Sequence, residues 1–216
     1  MPVQIAPSIL AADFLNLGKD IEIINRAGDI IHLDIMDGTL VPNISFGFSV
    51  VDQVARIAGR PMDAHLMVVH PERWFEKLHK DNIDMVSFHY EAAKLNTSRY
   101  IKKIHSLGMK AGVAINPDLP VRKLFPYIGK ADYFLIMSVF AGFGGQKFIY
   151  ETFDRVAELK AEISRRGAKG LVEIDGGVNM ENIQAIRESG VDLIVAGSTV
   201  FKSEDPEAAI AALRGI

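Results

Sequence analysis

Eight short apolar runs punctuate this chain, and most of them end in a patch of polar residues or glycine. The runs cover residues 4–6, 30–34, 62–65, 85–88, 111–115, 133–137, 171–174 and 193–196. They are rich in Ile, Val, Leu and Met and almost continuously apolar. That suits parallel strands covered on both faces better than half-exposed antiparallel ones. Stretches with helical patterning separate them, at 15–27, 49–58, 72–80, 99–107, 121–128, 152–166, 181–189 and 206–213. Pro71 is placed to open the third helix and Asn179 to cap the seventh. Gly108, Gly167 and Gly190 fall just past helix ends, where a left-handed residue is wanted. Val156, Leu159 and Ile163 give the sixth helix a core-facing stripe.

No linker rich in Pro, Gly or Ser divides the chain, and no Gly-x-Gly-x-x-Gly follows the first strand. Eight β/α units in 216 residues therefore predict an α/β protein, a single (β/α)8 TIM barrel domain over residues 1–216. In that fold the ends of all parallel strands share one mouth, so the patches there converge.

The patches read His32-Leu-Asp34-Ile-Met36-Asp-Gly, Asp63-Ala-His65-Leu-Met67, Met137-Ser, Gly142-Phe143-Gly144-Gly145, Asp175-Gly176-Gly177 and Gly197-Ser198. His32 and Asp34 are two apart on a strand and point to the same side. His65 ends the next strand and Asp175 the seventh. Two imidazoles and two carboxylates at one mouth suit one divalent metal ion (Zn, Fe, Mn or Co) with open positions left for substrate. A metal bridging adjacent oxygens of an α-hydroxyketone stabilises the enediolate formed when the carbon-bound proton leaves. Asp34 and Asp175, from strands three apart around the ring, are placed to remove and return that proton on opposite faces. Met36, Met67 and Met137 at strand ends offer an apolar lining, although methionine commonly just fills core gaps. The remaining histidines carry no clear ligand pattern, and His89 reads as a supporting or structural residue.

Glycines after strands six, seven and eight let the backbone approach an anion and present its N–H groups, and this is the usual phosphate position in such barrels. Ser8, ending the first strand beside the eighth, adds a hydroxyl. Composition narrows the partners. A net charge of −3 with scattered Lys and Arg argues against nucleic acid, and the absence of cysteine excludes disulfide and thiolate chemistry. The longest uncharged stretches, 38–51 and 133–146, are too short to span a bilayer. The opening Met1-Pro-Val-Gln-Ile-Ala lacks a signal-peptide pattern. A soluble cytoplasmic protein, without nucleic-acid or membrane partners, is the expectation.

At these residues the chain strongly resembles the ribulose-phosphate 3-epimerase family. The resemblance runs from Ala6-Pro-Ser-Ile-Leu10 to Val195-Ala-Gly-Ser198 and includes Val41-Pro-Asn43 and Gly142-Phe-Gly-Gly-Gln-Lys-Phe148. It implies metal ligands at His32, Asp34, His65 and Asp175, with Asp34 accepting the proton and Asp175 donating it. It implies substrate contacts at Ser8, His65, Gly142, Phe143, Gly144, Gly145, Asp175, Gly176, Gly177, Gly197 and Ser198. The implied activity is the interconversion, without a redox cofactor, of D-ribulose 5-phosphate and D-xylulose 5-phosphate in the pentose phosphate pathway, by a homo-oligomer.

Two positions depart from the family pattern. Phe140-Ala141 stands where a proline usually precedes the glycine loop, and Gly47-Phe48 replaces Gly-Pro. Losing the first proline should loosen the loop, so Ala141→Pro is expected to lower KM where the backbone already suits proline. A 3-epimerase of D-allulose 6-phosphate is the nearest alternative, and a non-catalytic phosphosugar-binding barrel a more distant one. A decarboxylase or aldolase fits less well, because Asp63-Ala-His65 lacks the lysine that related decarboxylases carry there, and no strand ends in a lysine placed for Schiff-base chemistry.

Overall fold

Runs that are apolar on both faces can satisfy their backbone groups and bury their side chains only inside a covered sheet. All eight do so in the computed structural model, which describes residues 3–216. The first two residues of the expected domain lie outside the described range. The strands are β1 (Gln4–Pro7), β2 (Ile31–Met36), β3 (Met62–Met67), β4 (Met85–His89), β5 (Lys110–Ile115), β6 (Tyr133–Met137), β7 (Leu171–Asp175) and β8 (Leu193–Ala196). They form one parallel sheet in the order β1-β8-β7-β6-β5-β4-β3-β2. A parallel bridge between Ser8 and His32 brings β1 and β2 together at the mouth. With helices between the strands, this is a (β/α)8 TIM barrel.

The opposite end is held by a repeated device. Asp29, Asp84, Asp132 and Asp192 stand just before β2, β4, β6 and β8. Their carboxylates accept the N–H groups of Ile5, Met62, Ala111 and Val172, each at 2.8 Å. Each aspartate also donates its own N–H to the carbonyl of the same partner. Every odd strand is thereby fixed to the even strand that follows it. At β1 and β2 this pairing closes the barrel floor, as the Ser8 bridge closes the top.

The helix signals hold with local exceptions. The helix Thr152–Arg165 buries Val156, Leu159 and Ile163, as its stripe requires. Gly108, Gly167 and Gly190 have positive φ past their helix ends. Asn179 Oδ1 accepts the N–H groups of Glu181 and Asn182, capping the turn that leads into Ile183–Glu188. The fifth expected helix is instead a 3-10 segment, Val121–Tyr127, because Pro126 inside it has no N–H to give an α-helical ladder. Pro71 likewise opens a 3-10 turn, Pro71–Arg73, ahead of the helix Phe75–Lys80. Two four-residue helices, Tyr90–Ala93 and Ser198–Phe201, are too short to show a period in the sequence. Among the described residues, no helix is long and apolar enough to cross a membrane.

Candidate active site

Side chains two apart on a strand share a side, and three strands bring polar pairs into the barrel: His32 and Asp34, Asp63 and His65, Glu173 and Asp175. The strand register places His32 beside Asp63 and Asp34 beside His65. Beneath the mouth, His32, Asp34, His65 and Asp175 each offer one ligand atom, all within 4.8 Å of one another. His65 Nδ1 is 3.1 Å from Asp34 Oδ1 and 3.8 Å from Asp175 Oδ2. His32 Nε2 is 3.4 Å from the same Asp34 Oδ1. Ser8 Oγ donates to Asp34 Oδ2 at 2.5 Å.

A deeper layer supports this cluster. His32 Nδ1 lies 3.0 Å from Asp63 Oδ2, and the Tyr133 hydroxyl donates to Asp63 Oδ1 at 2.5 Å. Asp63 therefore accepts from His32 Nδ1–H and turns Nε2 toward Asp34. That nitrogen is buried and has no hydrogen-bond partner, although a carboxylate oxygen stands close by. An imidazole nitrogen that faces a carboxylate without a hydrogen bond to it offers a place for a cation, a proton or a metal ion, between them. The four residues thus fit a divalent metal by their own chemistry. Gly112 on β5 makes room for this layer, since a Cβ there would collide with the Tyr133 ring.

The protein's own groups separate the two carboxylates. Burial works to raise the Asp34 carboxyl, but His32 and His65 outweigh it and hold the group well below the usual range. Burial, reinforced by the charge on Asp34, pushes Asp175 up to about 7. Burial also pushes the His65 imidazole down to about 4, against the pull of Asp34. Burial lowers His32 too, yet Asp34 and Asp63 together lift it well above the ordinary histidine value. Below, burial and the Asp63 charge keep Glu173 well above the carboxylate range. Two carboxylates held apart in this way are suited to opposite halves of a proton transfer.

Above the cluster opens a cavity of about 440 Å³. Ser8, Asp34, Met36, Met67, Met137, Gly142, Phe143, Gly144, Gly145, Asp175, Gly176, Gly177, Gly197 and Ser198 all line it. The strand-end methionines and the three glycine loops are thus brought together around one space. His32 and His65 are fully buried beneath it and are not among its lining residues. Gly177 has φ +65°, and a Cβ there would sit 2.5 Å from the Phe148 backbone nitrogen. The loops after β6 and β7 therefore pack backbone to backbone.

Sequence reasoning overlooked Asn43, Gln146 and Lys202, which also line the cavity. Asn43 Nδ2 donates to the Gly142 carbonyl at 2.8 Å, so the Val41-Pro-Asn43 block carries its own signal for a loop contact. Lys202 follows the Gly197-Ser198 patch by a single helical turn and is a cation in that lining. Asn116, just after β5, accepts the Ala141 N–H at 3.0 Å. The non-proline at position 141 thus holds the loop by a hydrogen bond that proline cannot make.

The sequence profile of the ribulose-phosphate 3-epimerase family matches residues 4–201. A Bacillus subtilis protein named ribulose-phosphate 3-epimerase is 41% identical over 215 residues, covering 99% of this chain and 99% of that protein. One of the same name from Synechocystis is 41% identical over 214 residues, covering 98% of this chain and 93% of its own length. Among solved structures, a 3-hexulose-6-phosphate synthase superposes with a TM-score of 0.71 at 18% identity. That match covers 99% of this chain and 98% of the other, a likeness of fold.

Proposed function

The chain belongs to the ribulose-phosphate 3-epimerase family and is an isomerase, and from that premise we propose a metal-dependent ribulose-phosphate 3-epimerase, one barrel domain throughout. Its substrates are D-ribulose 5-phosphate and D-xylulose 5-phosphate, interconverted at C3 in the pentose phosphate pathway. The observation that carries this reading is the pair Asp34 and Asp175. They stand on β2 and β7 in one cluster with two imidazoles, beneath a cavity that both help to line.

His32, Asp34, His65 and Asp175 would hold the ion. A divalent cation bound there would supply positive charge against the negative charge that develops as C3 loses its proton. Asp34, anionic and steadied by the Ser8 hydroxyl, takes the proton from C3 of ribulose 5-phosphate. Asp175, in the same cluster, returns one to the opposite face. The two exchange roles in the reverse direction. Met36, Met67 and Met137 keep water from the flat intermediate, which would otherwise be reprotonated on either face. Backbone N–H groups of the loops at 142–145, 176–177 and 197–198 receive the phosphate, and Lys202 adds charge at that end. We extend the proposal to a cytoplasmic homo-oligomer, which sedimentation analysis of the purified protein tests.

The test is epimerisation of ribulose 5-phosphate against allulose 6-phosphate, on metal-stripped and on reconstituted protein. Turnover of the pentulose that returns with metal supports the proposal. Preference for the hexulose moves the assignment to allulose-6-phosphate 3-epimerase, and binding without turnover of either moves it to a phosphosugar-binding barrel.

A further inference from the structure

The second nitrogen of His65 has a partner that the proton-transfer scheme does not use. His65 Nε2 lies 2.9 Å from Nε2 of His89, and the two rings, both fully buried, meet edge to edge with their planes 19° apart and centroids 5.0 Å apart. Two imidazole nitrogens at that distance share a single proton, so one ring donates and the other accepts. A carboxylate faces the far nitrogen of each ring, Asp34 Oδ1 being 3.1 Å from His65 Nδ1, and once a divalent cation takes the place of a proton there the far side of His89 decides which. Its Nδ1 stands 3.4 Å from Glu91 Oε2, and each of these buried atoms is otherwise without a partner. The other Glu91 oxygen is anchored, accepting the Asn116 N–H at 2.8 Å.

A carboxylate facing Nδ1 favours a proton there and disfavours a lone pair. His89 Nε2 is then the acceptor, and the shared proton belongs to His65 Nε2. His65 Nδ1, 3.1 Å from Asp34, is then free to give its lone pair to the cation. We propose that His89 and Glu91 are positioning residues that hold His65 in the tautomer offering Nδ1 to a divalent cation, an inference that rests on the four-residue site under Proposed function. Asp63 does the same for His32 from the opposite nitrogen, so the two imidazoles are fixed by separate carboxylates.

The experiment measures Zn²⁺ affinity by chelator competition for wild type, His89→Phe, His89→Gln, Glu91→Gln and His65→Ala, with thermal unfolding as a check on folding. Phenylalanine cannot accept the His65 proton, and about 10–100-fold weaker binding is expected, the range for losing such a partner. The glutamine amide oxygen can accept it, so His89→Gln is expected to bind within a few-fold of wild type. Glu91→Gln keeps an oxygen for Asn116 but loses the charge, and about tenfold weaker binding is expected. Wild-type affinity in folded His89→Phe overturns the proposal. So does equal weakening in His89→Phe and His89→Gln, which would mark a packing effect. If His89→Phe does not fold, Glu91→Gln decides: weakened binding supports the proposal and unchanged binding overturns it. Wild-type affinity in His65→Ala would instead overturn the four-residue site itself. Loss in His65→Ala with no loss in the other variants would leave that site standing and remove only the positioning pair.

Discussion

Replacing Tyr133 with phenylalanine removes one oxygen and leaves the ring, and so isolates a fully buried polar contact beneath the site. The hydroxyl donates to Asp63 Oδ1 at 2.5 Å inside a core where both residues are fully buried. A hydrogen bond to a charged acceptor contributes about 1.5–3 kcal/mol, and removing its donor leaves a buried carboxylate oxygen short of a partner. For a chain of this length each kcal/mol shifts the melting temperature by about 2–4 °C, so the expected drop is about 3–12 °C. The other Asp63 oxygen orients His32, so the same substitution should weaken metal affinity by about 10–100-fold through loss of an outer partner. Differential scanning calorimetry reads the first effect and chelator competition the second. A melting temperature within 1 °C of wild type, with unchanged metal affinity, would refute the layered account of the site. A lower melting temperature with full affinity would separate Asp63 from the orientation of His32.

Two further outcomes follow from the geometry. His32→Ala and His65→Ala should each lower bound metal after dialysis, measured by elemental analysis, because each removes a candidate ligand; a full equivalent with unchanged affinity clears that histidine of the role. Ala141→Pro should raise KM for ribulose 5-phosphate about 2–10-fold, since it removes the N–H that Asn116 accepts, and an unchanged or lower KM in steady-state kinetics would mean that bond does not order the loop.

The Ala141 case reverses the sign drawn from the sequence, and shows where legibility ended. Backbone stiffness is a property of residue type and can be read from the chain. The use of one particular N–H by a side chain 25 positions away cannot. The eight strands were legible because burial on both faces leaves continuous apolar runs, and the structure lengthens several of them at one end. The 3-10 segment Val121–Tyr127 was misjudged because its apolar spacing suits either helix, and Pro126 should have weighed against the α form. His32, Asp34, His65 and Asp175 stood out because polar residues at strand ends have few structural reasons to be there. Asp63, Tyr133 and Glu173 did not, because they sit deeper in strands and read as core. A signal for two of them was present. Asp63 precedes His65 by two and Glu173 precedes Asp175 by two, the same spacing that drew attention to His32 and Asp34. His89 and Glu91 flank the end of β4 in that pattern too, but no ligand lay beside them in sequence.

The central claim is that two carboxylates work on opposite faces of one carbon, and hydrogen exchange at that carbon tests it most directly. D-Ribulose 5-phosphate is incubated in D2O with metal-loaded wild type and with Asp175→Asn, metal content is measured in each, and C3 is followed by proton NMR. Wild type should place one deuterium at C3 and invert it. Asp175→Asn, with Asp34 intact, should exchange the C3 hydrogen of ribulose 5-phosphate with solvent while forming almost no xylulose 5-phosphate. Inversion at near the wild-type rate in the fully metallated variant would contradict the account.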